Sequence, residues 1–144
     1  MLCSSCVFVS CVSSKADRPL AACDLYTSAL FKKARAYVES MRCPWFILSA
    51  EHELVYPGSV IAPYERTLNS MGVGERRAWS DQVVQQMEQE MPDADRIVVL
   101  AGQRYREFLM PYLRSRSRLV VTPLEGKRIG EQLQWLSQPR HAAR

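Results

Sequence analysis

The sequence lacks any long apolar run. None of its apolar stretches approaches the roughly 18 residues that a membrane-spanning helix needs. No Lys or Arg precedes the first apolar segment, Val7 to Val9, as the charged region of a secretory signal would. We therefore predict a protein without membrane association and expect it in the cytoplasm.

Histidines and closely spaced cysteine pairs are also scarce. The chain has two histidines and five cysteines, and Cys3-x-x-Cys6 has no second Cys/His pair close behind it, which disfavours a zinc site. An odd number of scattered cysteines is not a disulfide framework. We expect reduced thiols, no metal and no cofactor. Gly126 to Gly130 lacks the spacing of a P-loop, which disfavours nucleotide hydrolysis.

Composition and length indicate one ordinary globular domain. The chain has 144 residues, 47% of them apolar and 24% charged, which argues against wholesale disorder. We predict a single domain over residues 1–144 with flexible ends at 1–5 and 137–144. The formal net charge of +4 suits an anionic ligand but falls short of a dedicated DNA-binding domain.

Short apolar runs alternate with amphipathic stretches along the whole chain. The runs around Val7, Phe46, Val98 and Val120 predict four buried strands,. Helical periodicity lies between them, for example over Thr27 to Met41. This alternation predicts an α/β three-layer sandwich with a mainly parallel four-stranded sheet, because right-handed crossovers place helices on both faces.

Polar residues follow each predicted strand, so a parallel sheet would gather them at one edge. In such sheets, ligands bind beyond the carboxyl ends of the strands. The convergence of four loops is the main sign of a binding site. The strand ends and the loops after them supply Ser10, Cys11, Ser13, Lys15, Ser49, Glu51, His52, Gly102, Gln103, Arg104, Thr122, Glu125, Gly126, Lys127 and Arg128.

Several of these residues have both a functional and a structural interpretation. His52, between Glu51 and Glu53, is either a general acid or base or a surface histidine in a charged loop. Lys15 is either an anion anchor or a solvated lysine. Cys11 is either an activated nucleophile or, the favoured interpretation, a buried apolar side chain. Asp24 is more readily a helix cap than a ligand contact.

A resemblance rests on six blocks of sequence between Val7 and Leu136. Together they resemble a small, uncharacterised bacterial and phage domain family. Its members tend to have His-Gly-Leu where this chain has His52, Glu53 and Leu54, so Glu53 alters the backbone beside His52 or adds a carboxylate. The blocks are SCVSSK, DLYTSALFKKARAYVE, WFILSAEHELV, PYERTL, LAGQRYREFL and PLEGKRIGEQLQWL.

More distantly, SCVSSK followed by LYTS resembles the auxiliary domain of archaeosine synthase, whose fold is similar to uracil-DNA glycosylases. This resemblance implies a uracil-DNA-glycosylase-like fold and a nucleobase, nucleoside or nucleic acid as ligand. The residues at matching positions are Cys11, Ser13, Lys15, Tyr26 and Ser28.

Two function classes remain open: an enzyme acting at an N-glycosidic or related nucleoside bond, which is narrowly favoured, and a non-catalytic module that binds nucleotide or nucleic acid. Cleavage needs a group that holds the base, a donor to it and a carboxylate near the sugar. Candidates are Tyr26 or Tyr64 for stacking, His52 or Lys15 for donation, and Glu53, Glu65 or Glu125 for the sugar. The segment Leu54 to Met71 is expected to be a long loop that acts partly as a lid.

Overall fold

The computed structural model describes residues 4–10 and 14–138. The strands are β1 (Ser5–Ser10), β2 (Leu20–Ala21), β3 (Trp45–Ser49), β4 (Glu53–Val55), β5 (Val60–Ile61), β6 (Arg96–Leu100) and β7 (Leu119–Val121). The helices are α1 (Ala22–Leu25), α2 (Ala29–Met41), α3 (Val73–Glu90), α4 (Gln103–Arg106), α5 (Met110–Arg116) and α6 (Ile129–Ser137), with a 3₁₀ helix over Leu68–Ser70.

The central sheet is mainly parallel, as predicted, but has five strands in the order β4-β3-β1-β6-β7. The four predicted strands β1, β3, β6 and β7 are parallel, with Val7 opposite both Trp45 and Val98. The predicted count of four is wrong because β4 folds back antiparallel on β3, with Glu53 opposite Ser49. A turn through His52 returns the chain at once, so a stretch with the composition of a polar loop becomes an edge strand.

Side chains of β1 alternate between two apolar cores, one on each face of the sheet. Cys6 and Phe8 pack on the side of α3, α4 and α5, whereas Val7 and Val9 pack on the side of α1, α2 and α6. A strand buried on both faces is a near-continuous apolar run. The result is the predicted three-layer arrangement.

The segment from Leu54 to Met71 is more ordered than the expected long loop. Its first residues belong to β4, and Val60–Ile61 pairs antiparallel with Leu20–Ala21 in a second, two-stranded sheet. Leu68 is completely buried in the core. Packing of these apolar residues, which have no regular spacing in the sequence, holds the segment against the domain.

One helix is interrupted and one predicted helix cap is wrong. The segment after Gly102 forms two helices, α4 and α5, because Pro111 lies in the first turn of α5 and has no N–H for a continuous helix,. Asp24 does not cap α2. The cap is Ser28, whose Oγ accepts a hydrogen bond from the Phe31 amide at 3.1 Å, and Asp24 instead pairs with Arg35 at 2.7 Å.

The chain ends and the cysteines also depart in part from expectation. Ser5 begins β1 and Ser137 ends α6, so those positions belong to regular elements; residues 1–3 and 139–144 lie outside the described part. Cys6 and Cys23 are free thiols, but Cys43 is disulfide-bonded, so the expectation of reduced thiols is wrong for Cys43. Its position just before β3 is set by tertiary folding, which cysteine spacing does not reveal.

No helix within residues 4–10 and 14–138 combines the length and apolar character needed to cross a membrane.

Arg42 offers a direct test of the end of α2. This exposed residue adopts a left-handed conformation (φ 55°), which favours glycine because glycine has no Cβ. We expect Arg42→Gly to raise the free energy of unfolding by about 1 kcal/mol in urea titrations. Arg42→Ala is the matched control, because it removes the same side chain but keeps the backbone cost. Equal stability of the two variants would refute this explanation.

Candidate functional site

A cleft of about 1010 Å³ opens at the carboxyl ends of β1 and β6. The chain leaves β1 toward β3 by way of α2 and later returns to β6 on the opposite side of β1, so the direction of winding reverses between β1 and β6. Loops on either side of such a switch point diverge and leave a crevice. The predicted location of the site at this edge therefore coincides with the cleft.

The walls of the cleft combine an apolar surface with polar groups. Its volume is of the order that encloses a small organic ligand. The apolar residues include Leu30, Phe31, Leu100, Leu124, Ile129 and Leu133. The polar residues are Ser10, Ser28, Asn69, Gln103, Tyr105, Arg106, Glu107, Glu125, Lys127 and Gln132.

Arg106 and Glu125 form an ion pair in this cleft. Arg106 Nη2 lies 3.3 Å from Glu125 Oε1, and the two side chains are 14% and 61% exposed, respectively. Arg106 Nη1 also donates to the carbonyl oxygen of Ala101 at 3.0 Å. Thr122 Oγ1 donates to the same Glu125 oxygen at 2.8 Å. The guanidinium is thus anchored at the end of β6, while the carboxylate lies on the outer loop.

The loop that carries Glu125 ends at the start of α6. Gly126 adopts φ 76°, a conformation that glycine tolerates without the steric cost of a Cβ, and Lys127 follows it in the cleft wall. The Arg128 amide donates to Glu131 Oε1 at 2.9 Å, which caps α6. Arg128 therefore begins a helix and is not part of the cleft lining.

A second ion pair braces the far wall. Arg76 Nε on α3 donates to Glu107 Oε1 at 2.8 Å, with side chains 12% and 25% exposed. Arg76 Nη1 also donates to the Met71 carbonyl oxygen at 2.6 Å. Because Arg76 is close to it and largely shielded from solvent, the negative charge of Glu107 adds little to the field in the cleft.

Four of the predicted site residues form a separate group, which we call the tyrosine–lysine cluster: Lys15, Tyr26, His52 and Tyr64. The hydroxyl groups of Tyr26 and Tyr64 lie 2.6 Å apart. Lys15 Nζ lies 4.4 Å from the centre of the Tyr64 ring, a cation–π distance. The His52 ring meets Tyr64 edge-on at 5.3 Å. Lys15 and His52 are therefore on the same edge of the sheet, as predicted.

The β3–β4 hairpin holds His52 in place. The His52 amide donates to Ser49 Oγ at 2.9 Å, and Trp79 Nε1 on α3 donates to the Ser49 carbonyl oxygen at 2.9 Å. Glu53 adopts φ 64°, where glycine is favoured, and its carboxylate accepts from Gln86 Nε2 at 2.9 Å. Glu53 is therefore held by α3, and its backbone explains why glycine suits this position.

The structure places only some of the predicted site residues in these two groups. Ser10, Ser28, Gly102, Gln103, Glu125, Gly126 and Lys127 line the cleft, and the tyrosine–lysine cluster adjoins it through Tyr26, whose ring contacts that of Phe31 at 4.9 Å. Cys11 and Ser13 lie outside the described residues. The candidates that neither line the cleft nor join the cluster are Asp24, Ser49, Glu51, Glu53, Glu65, Arg104, Thr122 and Arg128.

Burial changes how two residues can act. Tyr26 is 2% exposed, so its ring presents little surface on which a base could stack. Burial raises the pKa of the Cys6 thiol to about 12, so this residue of β1 remains protonated and unreactive at neutral pH. Phe31 is equally buried, at 1% exposed, so the apolar wall would contact a base through its more exposed residues, such as Ile129, which is 59% exposed.

Five polar residues of the cleft wall were not among the candidates named from the sequence: Asn69, Tyr105, Arg106, Glu107 and Gln132. Arg106 follows β6 by six residues, and one turn of α4 brings it back over the end of that strand. Asn69 reaches the cleft from the 3₁₀ helix, and Gln132 from the first turns of α6. Helical spacing of Arg106 from Gly102 could have indicated a return to the strand end; nothing in the sequence marks Asn69.

The comparison with protein families decides the classification. A model of a family of unknown function, DUF6884, matches residues 6–138. The chain belongs to DUF6884. That match spans both the cleft and the tyrosine–lysine cluster, so the two groups are parts of one DUF6884 domain. No curated protein and no solved structure matches the chain significantly.

Proposed function

We propose that this DUF6884 domain binds a nucleoside or nucleotide in the cleft and hydrolyses its N-glycosidic bond. The observation that carries the proposal is the lining of the cleft, which combines an apolar wall with Arg106, Lys127 and Glu125. Flat, apolar base surfaces suit such a wall, and anionic or polar sugar substituents suit the cations. The sequence resemblance of SCVSSK and LYTS to the auxiliary domain of archaeosine synthase implies the same ligand class, and Ser28, one of the matching residues, lines the cleft.

The proposed reaction needs a negative charge beside the sugar. Water oxygen bonds to the anomeric carbon as the bond to the base nitrogen breaks, and the base leaves with the bonding electrons and gains a proton. Of the two carboxylates that line the cleft, Glu125 is the more exposed, at 61% against 25% for Glu107. A carboxylate there stabilises positive charge that develops on the sugar in the transition state.

A second candidate function, non-catalytic binding, is favoured by a specific observation. His52 and Lys15, the candidate donors to the base, are not among the residues that line the cleft. If they do not reach the ligand, the cleft binds nucleotide without cleaving it. Partners in this case are free nucleotides or the nucleotides of a nucleic acid.

Base release distinguishes the two functions. Purified protein incubated with nucleosides, 5′-mononucleotides and modified DNA or RNA is expected to release free base, measured by chromatography. We expect Glu125→Gln to lower kcat by about 100-fold, because an isosteric amide cannot stabilise the positive charge. Glu88→Gln, at an exposed position on α3, is the matched control.

His52→Ala tests the donor role in the same assay. A loss of turnover would assign His52 to proton transfer. Saturable binding of nucleotides without any base release by the wild-type protein would replace the enzymatic proposal by the binding function. Absence of both binding and release across the panel would contradict both functions.

A further inference from the structure

Arg106 is held less closely by its carboxylate than Arg35 and Arg76 are by theirs. Its distance to Glu125 is 3.3 Å, similar to the 3.2 Å of the exposed Arg116–Asp93 pair, whereas Arg35 and Arg76 approach their carboxylates to 2.7–2.9 Å. Its own side chain is only 14% exposed, yet Glu125 is 61% exposed. A fixed, largely buried guanidinium is therefore neutralised by a carboxylate that solvent can reach.

If the Glu125 carboxylate moved away from Arg106, each side chain would still keep a hydrogen bond. Arg106 keeps its bond to the Ala101 carbonyl oxygen, and Glu125 keeps the hydroxyl of Thr122. A guanidinium binds phosphate through two parallel N–H groups, which is a stronger interaction than a single long contact with a carboxylate. A phosphate could therefore bind Arg106 while the loop that carries Glu125 loses little stability.

A second cation, Lys127, lines the same cleft. It is two residues beyond Glu125 in the same loop. The start of α6 at Ile129 borders this wall as well, but the Glu131 carboxylate already caps that helix, so the positive field comes from the two cations. The region around Arg106 has a net positive charge once Glu125 turns away.

We propose that Arg106 is the phosphate anchor of the cleft and that a ligand phosphate displaces Glu125 from it. This inference rests on the proposed function and names its substrate class: a 5′-phosphorylated nucleoside. Displacement also turns the Glu125 carboxylate from the arginine toward the sugar. The phosphate therefore frees the Glu125 carboxylate to face the sugar. An unphosphorylated nucleoside leaves the Arg106–Glu125 ion pair intact.

Calorimetric titration with three probes tests this proposal: inorganic phosphate, a 5′-mononucleotide and the corresponding nucleoside. Arg106→Gln is expected to weaken mononucleotide binding by about 30-fold, or 2 kcal/mol. Its affinity for the nucleoside is expected to stay within about twofold of the wild-type value. Arg114→Gln, at an exposed position on α5, is the matched control and is expected to change neither affinity. If Arg106→Gln weakened the binding of nucleoside and mononucleotide equally, Arg106 would not be the phosphate anchor.

Glu125→Gln provides an independent readout that does not depend on folding of the Arg106 variant. Because the competing carboxylate is removed, phosphate and mononucleotide are expected to bind about three- to tenfold more tightly, even as base release falls. Weaker phosphate binding in this variant would contradict displacement. Thermal melts of each variant confirm that it is folded.

The results separate this inference from the proposed function. If bases are released from nucleosides and mononucleotides alike and Arg106→Gln does not change affinity, Arg106 is not the phosphate anchor. The proposed cleavage of the N-glycosidic bond would still stand. Phosphate binding that depends on Arg106, without nucleoside binding or base release, would keep the anchor and refute the glycosidic function.

Discussion

Ala29→Trp is expected to abolish ligand binding by filling the cleft. Ala29 is the first residue of α2, is exposed and lines the cleft wall. An indole there occupies space that the ligand needs, without forcing apart any buried contact. We expect at least about a 100-fold loss of 5′-mononucleotide affinity, equivalent to about 2.7 kcal/mol, measured by calorimetry.

The matched control is Ala36→Trp, also at an exposed position on α2 but outside the cleft lining. Both variants are expected to melt within a few degrees of the wild type, because neither side chain enters the core. Equal affinity of the two variants for the mononucleotide would show that the ligand site is not this cleft. A large drop in melting temperature of Ala29→Trp alone would attribute its loss of binding to misfolding.

Trp79→Ala is expected to lower the free energy of unfolding by about 4 kcal/mol. Trp79 is 6% exposed and belongs to the core beneath α3. Its removal leaves a cavity and also deprives the buried Ser49 carbonyl of its 2.9 Å hydrogen bond. Urea unfolding measures the loss.

Two further variants separate the cavity from the hydrogen bond. Trp79→Phe keeps most of the ring but removes the N–H, and we expect it to cost about 2 kcal/mol. Tyr56→Phe removes a hydrogen bond to Glu90 that is exposed and is expected to cost under about 0.5 kcal/mol. A Trp79→Phe variant as stable as the wild type would mean that this bond does not hold the hairpin of His52.

The parallel core was predictable because its strands are buried on both faces. Residues such as Phe8 and Val98 therefore stand in short apolar runs, and periodicity identifies them. The strand β4 was not predictable, because it is short and begins at Glu53, whose left-handed backbone is unusual for that residue type. The extra strand depends on tertiary contacts with α3, which no local pattern encodes.

The candidate site was predictable in location but only partly in membership. Parallel topology places strand ends together, so Ser10 at the end of β1 and Glu125 in the loop after β7 were named as candidates,. Arg106 and Asn69 were missed because each reaches the cleft through a turn of helix rather than directly from a strand end. The separation of His52 from the cleft depends on the hairpin, which sequence spacing did not reveal.

Amide chemical-shift mapping with a 5′-mononucleotide tests most directly whether the cleft is the ligand site. The expected result is saturable shifts at Ser28, Gly102 and Gly126, three amides of the cleft wall supplied by different parts of the chain, and their loss in Ala29→Trp. Shifts confined to His52 and its neighbours in the tyrosine–lysine cluster, or no shifts at millimolar mononucleotide, would contradict it.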